Sequence, residues 1–118
     1  MSETNTLSPE EVAALRKLKM YIFVTNDIPL GHAVNSVAHA SLACYLRYDT
    51  DTVMNDWVAC SFKKVTCEVS RQELEKLALR EERHVKITES ALDNKLTAVA
   101  FCPIREWPRE FLDYNLFA

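Results

Sequence analysis

The sequence predicts an α/β domain: one mixed four-stranded sheet with helices on both faces. Three observations predict it. Two nearly uninterrupted apolar runs, Met20-Tyr21-Ile22-Phe23-Val24 and Leu96 to Cys102, read as central strands buried on both sides. Strands and helices alternate through the middle of the chain, the order that gives parallel pairing with helices on both faces. A short turn, Ala91-Leu92-Asp93-Asn94, joins the last two strands and makes that pair antiparallel, so the sheet is mixed. The 118 residues suffice for one domain. A chain of this size buries about two-thirds of its unfolded surface and needs no covalent staple.

The elements follow in order. Residues 1–7 read as disordered, and residues 8–118 as one domain that opens with a helical arm. Ser8-Pro9-Glu10-Glu11 starts that arm: Ser8 caps, Pro9 fits the first helical position and Glu11 completes a capping box. Val12, Leu15 and Leu18 give it an apolar stripe to pack on the domain. Residues 20–25 are the first strand, and Thr25-Asn26-Asp27-Ile28-Pro29 is a loop with Asx-turn chemistry. From Leu30 to about Tyr48, Ala, Leu and small residues run without a breaker, which predicts a long helix ended by Asp49-Thr50-Asp51. Residues 52–59 read as a short helix or loop, and residues 60–69 as a strand. Ser70-Arg71-Gln72-Glu73 is a second capping box, opening a helix to about Arg83. Residues 84–88 and 96–102 complete the sheet, and Pro108 opens a final helix through about Tyr114.

Composition removes several classes of function. A single glycine, Gly31, excludes the glycine-rich phosphate loops, each of which needs at least two. The four cysteines contain no CxxC pair, which argues against a zinc ribbon. Cys44, Cys60, Cys67 and Cys102 all have apolar neighbours and read as buried, reduced thiols. No spacing suits a metal, and no cofactor is expected. The apolar runs are far shorter than the ~20 residues of a membrane span, so no membrane partner is expected and the cytoplasm is the default compartment. The net charge of −3 does not advertise the phosphate contacts on which nucleic-acid binding depends.

Chemistry is most readily placed on the long helix. His32, Asn35, Ser36 and His39 fall on one helical stripe. The stripe begins at the helix N-terminus, where free backbone N–H groups favour an anion. The loop before it leaves the carboxyl end of the first strand, where open α/β sheets place ligands. His32, Asn35 and Ser36 are therefore expected to line one concave, accessible surface beside Asp27. Asp27 would orient His32 or cap the helix, and Asn26 joins the ligand-binding set. His39 is expected deeper, hydrogen-bonded, as part of the site or as a core histidine. Arg105, Trp107, Arg109 and Phe111 read as a solvated edge carrying packed aromatics. A competing use of Trp107, Phe111, Tyr114 and Phe117 is an interface between two copies.

The segment Lys19 to His32 resembles the opening of the type 2 peptidyl-tRNA hydrolases, in which a hydrophobic strand leads into an Asp-containing loop and a Gly-Lys segment. Val37-Ala38-His39-Ala40 is similar to that family's Cys-Ser-His-Ala, and Ala98-Val99-Ala100-Phe101-Cys102-Pro103 to its ending. Pro29-Leu30-Gly31, followed by Asn35 and Ala38, looks closer still to a sister group of small uncharacterised proteins of the same fold. The likeness covers about residues 19–117. It implies a mixed four-stranded sheet, often a homodimer, and ester hydrolysis of peptidyl-tRNA or a smaller anionic ester. His32 and Asp27 would be its catalytic residues, and tRNA or a small anionic ligand its partner. The chain departs from the pattern in four places, one of them a deletion of about two residues after Gly31. His32 stands where the family has lysine, and Ser36 where it has glutamine. The family's Asp-Ala-Gly-x-Thr loop is replaced by Thr88-Glu89-Ser90-Ala91-Leu92-Asp93. A non-catalytic anion- or nucleotide-binding module of the same fold is the alternative.

Overall fold

A computed structural model describes residues 7–118. The elements run α1 (Pro9–Leu15), β1 (Lys19–Thr25), α2 (Leu30–Arg47), α3 (Thr52–Cys60), β2 (Lys63–Val69), α4 (Arg71–Leu77), β3 (His84–Glu89) and β4 (Lys95–Phe101). Residues 1–6, to which the expectation of disorder mainly applies, lie outside the described part; Leu7 is exposed.

The sheet is mixed, in the order β2-β1-β4-β3. β1 runs parallel to β2, from Lys19 opposite Lys63 to Thr25 opposite Val69. β4 is antiparallel to both of its neighbours, β1 and β3. β1 and β4 are buried along almost their whole length because both faces are covered, as their unbroken apolar sequences require. Met20 and Ile22 point into a core with α1, α2 and α3, completed by Leu15, Ala40, Cys44, Met54 and Trp57. Tyr21 and Phe23 point the other way, among Leu74, Leu77, Phe101 and Phe111. Single-residue alternation on one central strand thus feeds two cores.

The first capping box forms in full: Ser8 Oγ accepts from the Glu11 N–H at 3.1 Å, and Glu11 accepts from the Ser8 N–H at 2.8 Å. Residues 49–51 do more than end α2. Asp51 caps α3, accepting from the Met54 N–H at 2.8 Å.

Five expectations need correction. The second capping box is half made: Ser70 accepts from the Glu73 N–H at 3.2 Å, but the Glu73 carboxylate accepts from the Tyr114 hydroxyl instead. The helix it opens stops at Leu77, where Ala78 caps it, and not at Arg83. The final helix is a 3₁₀ turn, Arg109–Asp113, after Pro108. Its aromatics are not an exposed interface. Phe111 is buried, and Trp107 and Tyr114 are half-buried, because they pack edge-on against Tyr21 and Phe23 at 4.8–5.4 Å between ring centroids. Arg105 and Arg109 stay exposed, as a solvated edge should. Finally, Cys44, Cys67 and Cys102 are buried free thiols, but Cys60 ends α3 facing solvent. Burial pushes the Cys44 thiol up to about 12, which keeps it inert.

Beyond the 3₁₀ turn the chain covers the outer edge of β2. Glu68 N–H donates to the Asn115 carbonyl at 3.1 Å, and Phe117 N–H to the Thr66 carbonyl at 2.9 Å. The edge strand is thereby protected from pairing with another chain. Among the described residues, no helix is long and apolar enough to cross a membrane.

Candidate functional site

The strand register fixes where chemistry can gather. Because β1 and β2 are parallel, their carboxyl ends, Thr25 and Val69, lie side by side. β4 runs the other way, so its beginning is at this end, and Thr88 and Glu89 at the end of β3 pair with its Leu96 and Lys95. The loop of residues 26–29, the start of α4 and the end of β3 therefore meet at one edge of the sheet. Asn26 N–H donates to the Val69 carbonyl at 2.8 Å and holds the loop over this edge, with the Asn26 side chain exposed.

Arg71, the first residue of α4, organises the loop. Its Nε and Nη2 reach Asp27 Oδ2 and Oδ1 at 3.0 and 2.9 Å, and its Nη1 donates to the Leu96 carbonyl at 2.5 Å. Thr25 Oγ1 donates to Asp27 Oδ1 at 2.7 Å. One guanidinium so ties the loop, α4 and β4 together, using the planar fork that matches a carboxylate. Hydrogen bonds from Arg71, then from Thr25, hold the Asp27 carboxyl below its ordinary range; Asp27 in turn raises the Arg71 guanidinium. Asp27 is an ionised anchor rather than a free base.

His32 lies in the first turn of α2, with its side chain one-third exposed. Among the described residues no hydrogen bond or ion pair joins it to Asp27. The carboxylate near it is Glu89, with Oε1 3.9 Å from His32 Nδ1. That is too long for a hydrogen bond but within reach of an ion pair when the imidazole is charged. Glu89 Oε2 accepts from the Ala91 N–H at 3.1 Å, so its position is fixed by the turn that follows β3. The N-cap of α2 is Pro29, which offers no side-chain acceptor. The first intrahelical bond is from the Ala33 N–H to the Pro29 carbonyl at 3.0 Å. The N–H groups of the preceding first-turn residues are therefore left for a ligand or water. Gly31 stands in this turn with open space before it: an added Cβ would meet nothing within 4 Å.

The polar stripe does not act as one surface. Ala33, Ser36, Ala40 and Cys44 form the buried face of α2. Ser36 Oγ donates to Thr97 Oγ1 at 2.8 Å, and Thr97 Oγ1 donates to the Ile87 carbonyl at 3.3 Å, linking α2 to β4 and β3. Ser36 is fully buried, contrary to its expected place on an accessible surface. Asn35 is exposed, and so is His39, which was expected deeper and hydrogen-bonded. The reason is angular. At about 100° per residue the stripe is about 100° wide, and the boundary between buried and exposed runs through it.

His32, Asn35, Asn26 and Asp27 thus remain accessible around the loop and the start of α2, while Ser36 supports them from inside. Arg71 and Glu89 carry no signal in local spacing. Arg71 lies 44 residues from Asp27, and only the parallel register of β1 and β2 brings it there. Among the described residues no group of three or more His, Cys, Asp or Glu side chains gathers as a metal site.

No curated protein matches the chain. A family model described as Peptidyl-tRNA hydrolase PTH2 matches residues 18–105, which span β1 through β4 and every residue of this cluster. The fold, the cluster at the end of its sheet and a match over most of the chain agree that this protein belongs to the peptidyl-tRNA hydrolase PTH2 family.

Proposed function

We propose that the chain is a peptidyl-tRNA hydrolase-like ester hydrolase acting on an acyl-tRNA-like or smaller anionic ester, with His32 as its central group. The observation that carries this is the placement of His32 in the uncapped first turn of α2, 3.9 Å from Glu89. In its charged form His32 can pair with Glu89. Its charge, with the free N–H groups of the turn, would stabilise the oxyanion formed when water attacks the ester carbonyl. The attacking water releases its proton to solvent. As the tetrahedral intermediate collapses, the C–O bond to the leaving group breaks and the leaving oxygen takes the proton of His32. Solvent then reprotonates the imidazole. Asn26 and Asn35 orient the ester from either side, His39 extends the polar edge along α2, and Asp27 acts by holding the loop.

Slow turnover of peptidyl-tRNA itself is expected. A histidine stands in for the family's lysine, the net charge is −3, and Arg71 is already neutralised by Asp27. Losing one preorganised electrostatic group costs roughly 100- to 1,000-fold in rate. The likeness of Pro29-Leu30-Gly31, with Asn35 and Ala38, to the family's small uncharacterised sister group supports the same expectation. The satisfied Asp27 carboxylate favours a second reading, a non-catalytic module that binds the anion without cleaving it.

Cleavage of an N-acetyl-aminoacyl-tRNA and of a short acyl ester, by wild type and His32→Ala, separates the two. Slow hydrolysis lost in His32→Ala supports the hydrolase. Saturable binding of the tRNA without turnover supports the binding module. Turnover untouched by His32→Ala contradicts the role given to His32.

A further inference from the structure

On the far side of α2 from His32 lies a groove of about 470 Å³ between α2, the end of α3 and the start of β2. Val37, Leu42, Trp57, Val58 and Phe62 give it apolar walls, and Lys64 is its one charged residue. Small-molecule sites are typically clefts of about 300–1,000 Å³, mostly apolar, with a few placed polar groups. This groove has that size and that composition.

Its wall is built at a cost. Phe62 follows the C-cap of α3 with φ 64°, a left-handed conformation usually given to glycine at this position. Its N–H donates to the Trp57 carbonyl at 2.7 Å, which closes the helix. Phe62 is nonetheless 58% exposed as a residue, and its ring stacks on Trp57 at 5.0 Å. A glycine would close the helix with less strain; a phenylalanine adds an aromatic wall. Strained backbone of this kind concentrates where a ligand is held. The Trp57 indole is fixed behind it, donating to the Lys63 carbonyl at 2.7 Å.

Lys64 identifies the occupant. Its Nζ lies 3.5 Å from the Phe62 ring centroid and 5.1 Å from that of Trp57, and donates to the Phe62 carbonyl at 3.1 Å. Among the described residues it has no carboxylate partner, and no acidic residue lines the groove. Partial burial beside these rings lowers its pKa. Ser41 and Tyr45 complete the lining on the α2 side.

We propose that this groove is a binding site for a medium-chain fatty carboxylate, whose chain lies against Val37, Leu42, Trp57 and Phe62 and whose carboxylate pairs with Lys64. The site is separate from the His32 cluster and does not depend on the reading of that cluster.

Isothermal titration of the full chain with decanoate, decanol and decyltrimethylammonium, below their micelle concentrations, tests it. Saturable one-to-one binding of decanoate is expected, about tenfold tighter than decanol, with the cation weakest. Lys64→Gln should erase the preference for decanoate and leave decanol unchanged. Ala38→Trp, placed to fill the groove, should abolish binding of both, with thermal melts confirming that the variants fold. Absence of saturation in wild type, or equal affinity for decanoate and decanol, would overturn the proposal. So would a dimer in sedimentation that Phe62→Glu dissociates, since a second copy would then cover the groove.

Discussion

The two sides of α2 are built differently. At its start, on the side of β3 and the loop after β1, charged groups are largely paired within the molecule: Asp27 with Arg71 and Thr25, and His32 near Glu89. Along its outer face, on the side of β2, Val34 and Leu42 are more than half exposed, Leu42 shares the groove with Phe62, and among the described residues Lys64 has no anionic partner. On the paired side the Asp27 and Arg71 charges already satisfy each other. The unpaired side has surface to bury and a charge to neutralise. On the proposed function, pairing at the first side leaves His32 and the helix start as the groups that act on a substrate.

Breaking the paired side should have the largest effect on stability. Arg71→Ala removes the fork onto Asp27 and the bond to Leu96, and should cost about 1–2 kcal/mol after allowance for the partial exposure of the pair. Arg71→Lys keeps the charge but not the fork and should recover less than half of it, as read from urea denaturation. If Arg71→Ala melts like wild type, the loop is held by something other than this residue.

Asn35 and Ser36 sharpen the comparison because they are adjacent in sequence and opposite in environment. Ser36→Ala should cost about 1 kcal/mol of stability, by loss of the buried bond to Thr97, and leave kcat/KM almost unchanged. Asn35→Ala should leave stability within about 0.5 kcal/mol and lower kcat/KM several-fold. The reverse pattern would return Ser36 to the binding surface.

The smallest effect is a pH dependence. The folded-state pKa of Asp27 is depressed below its ordinary 3.8. The stability it contributes is therefore fully present above the unfolded pKa and is lost as pH falls through the lower folded value. The stability difference between wild type and Asp27→Asn should be constant from pH 7 to about 5 and shrink below about 4. A constant difference down to pH 3 would show that the ion pair is not its source.

Much of the fold was legible because it is locally encoded. Uninterrupted apolar runs can only be strands covered on both faces, as β1 and β4 are, and Ser8 with Glu11 caps a helix by a local exchange of bonds. The departures have longer-range causes. The C-terminal segment forms a 3₁₀ turn because Phe111 and Tyr114 must reach Phe23 on the sheet. Within the site, the stripe on α2 was legible as a stripe, but its division was not. Which flank of a helix is buried depends on what it packs against, here Thr97 under Ser36. The Asp27–Arg71 pair joins residues from different elements and emerges only once β1 and β2 are set in register.

On the proposed function, His32 in its charged form carries whatever ester hydrolysis this chain performs. The most direct test is the rate of peptidyl-tRNA cleavage from pH 8 to pH 6 by wild type, His32→Ala and His32→Lys. Histidine changes charge within about pH 5–8, whereas lysine stays charged throughout the tested range. The expected results are slow cleavage by wild type that rises as pH falls, no cleavage above background by His32→Ala, and faster, nearly pH-independent cleavage by His32→Lys. Robust turnover at neutral pH that survives His32→Ala would contradict it.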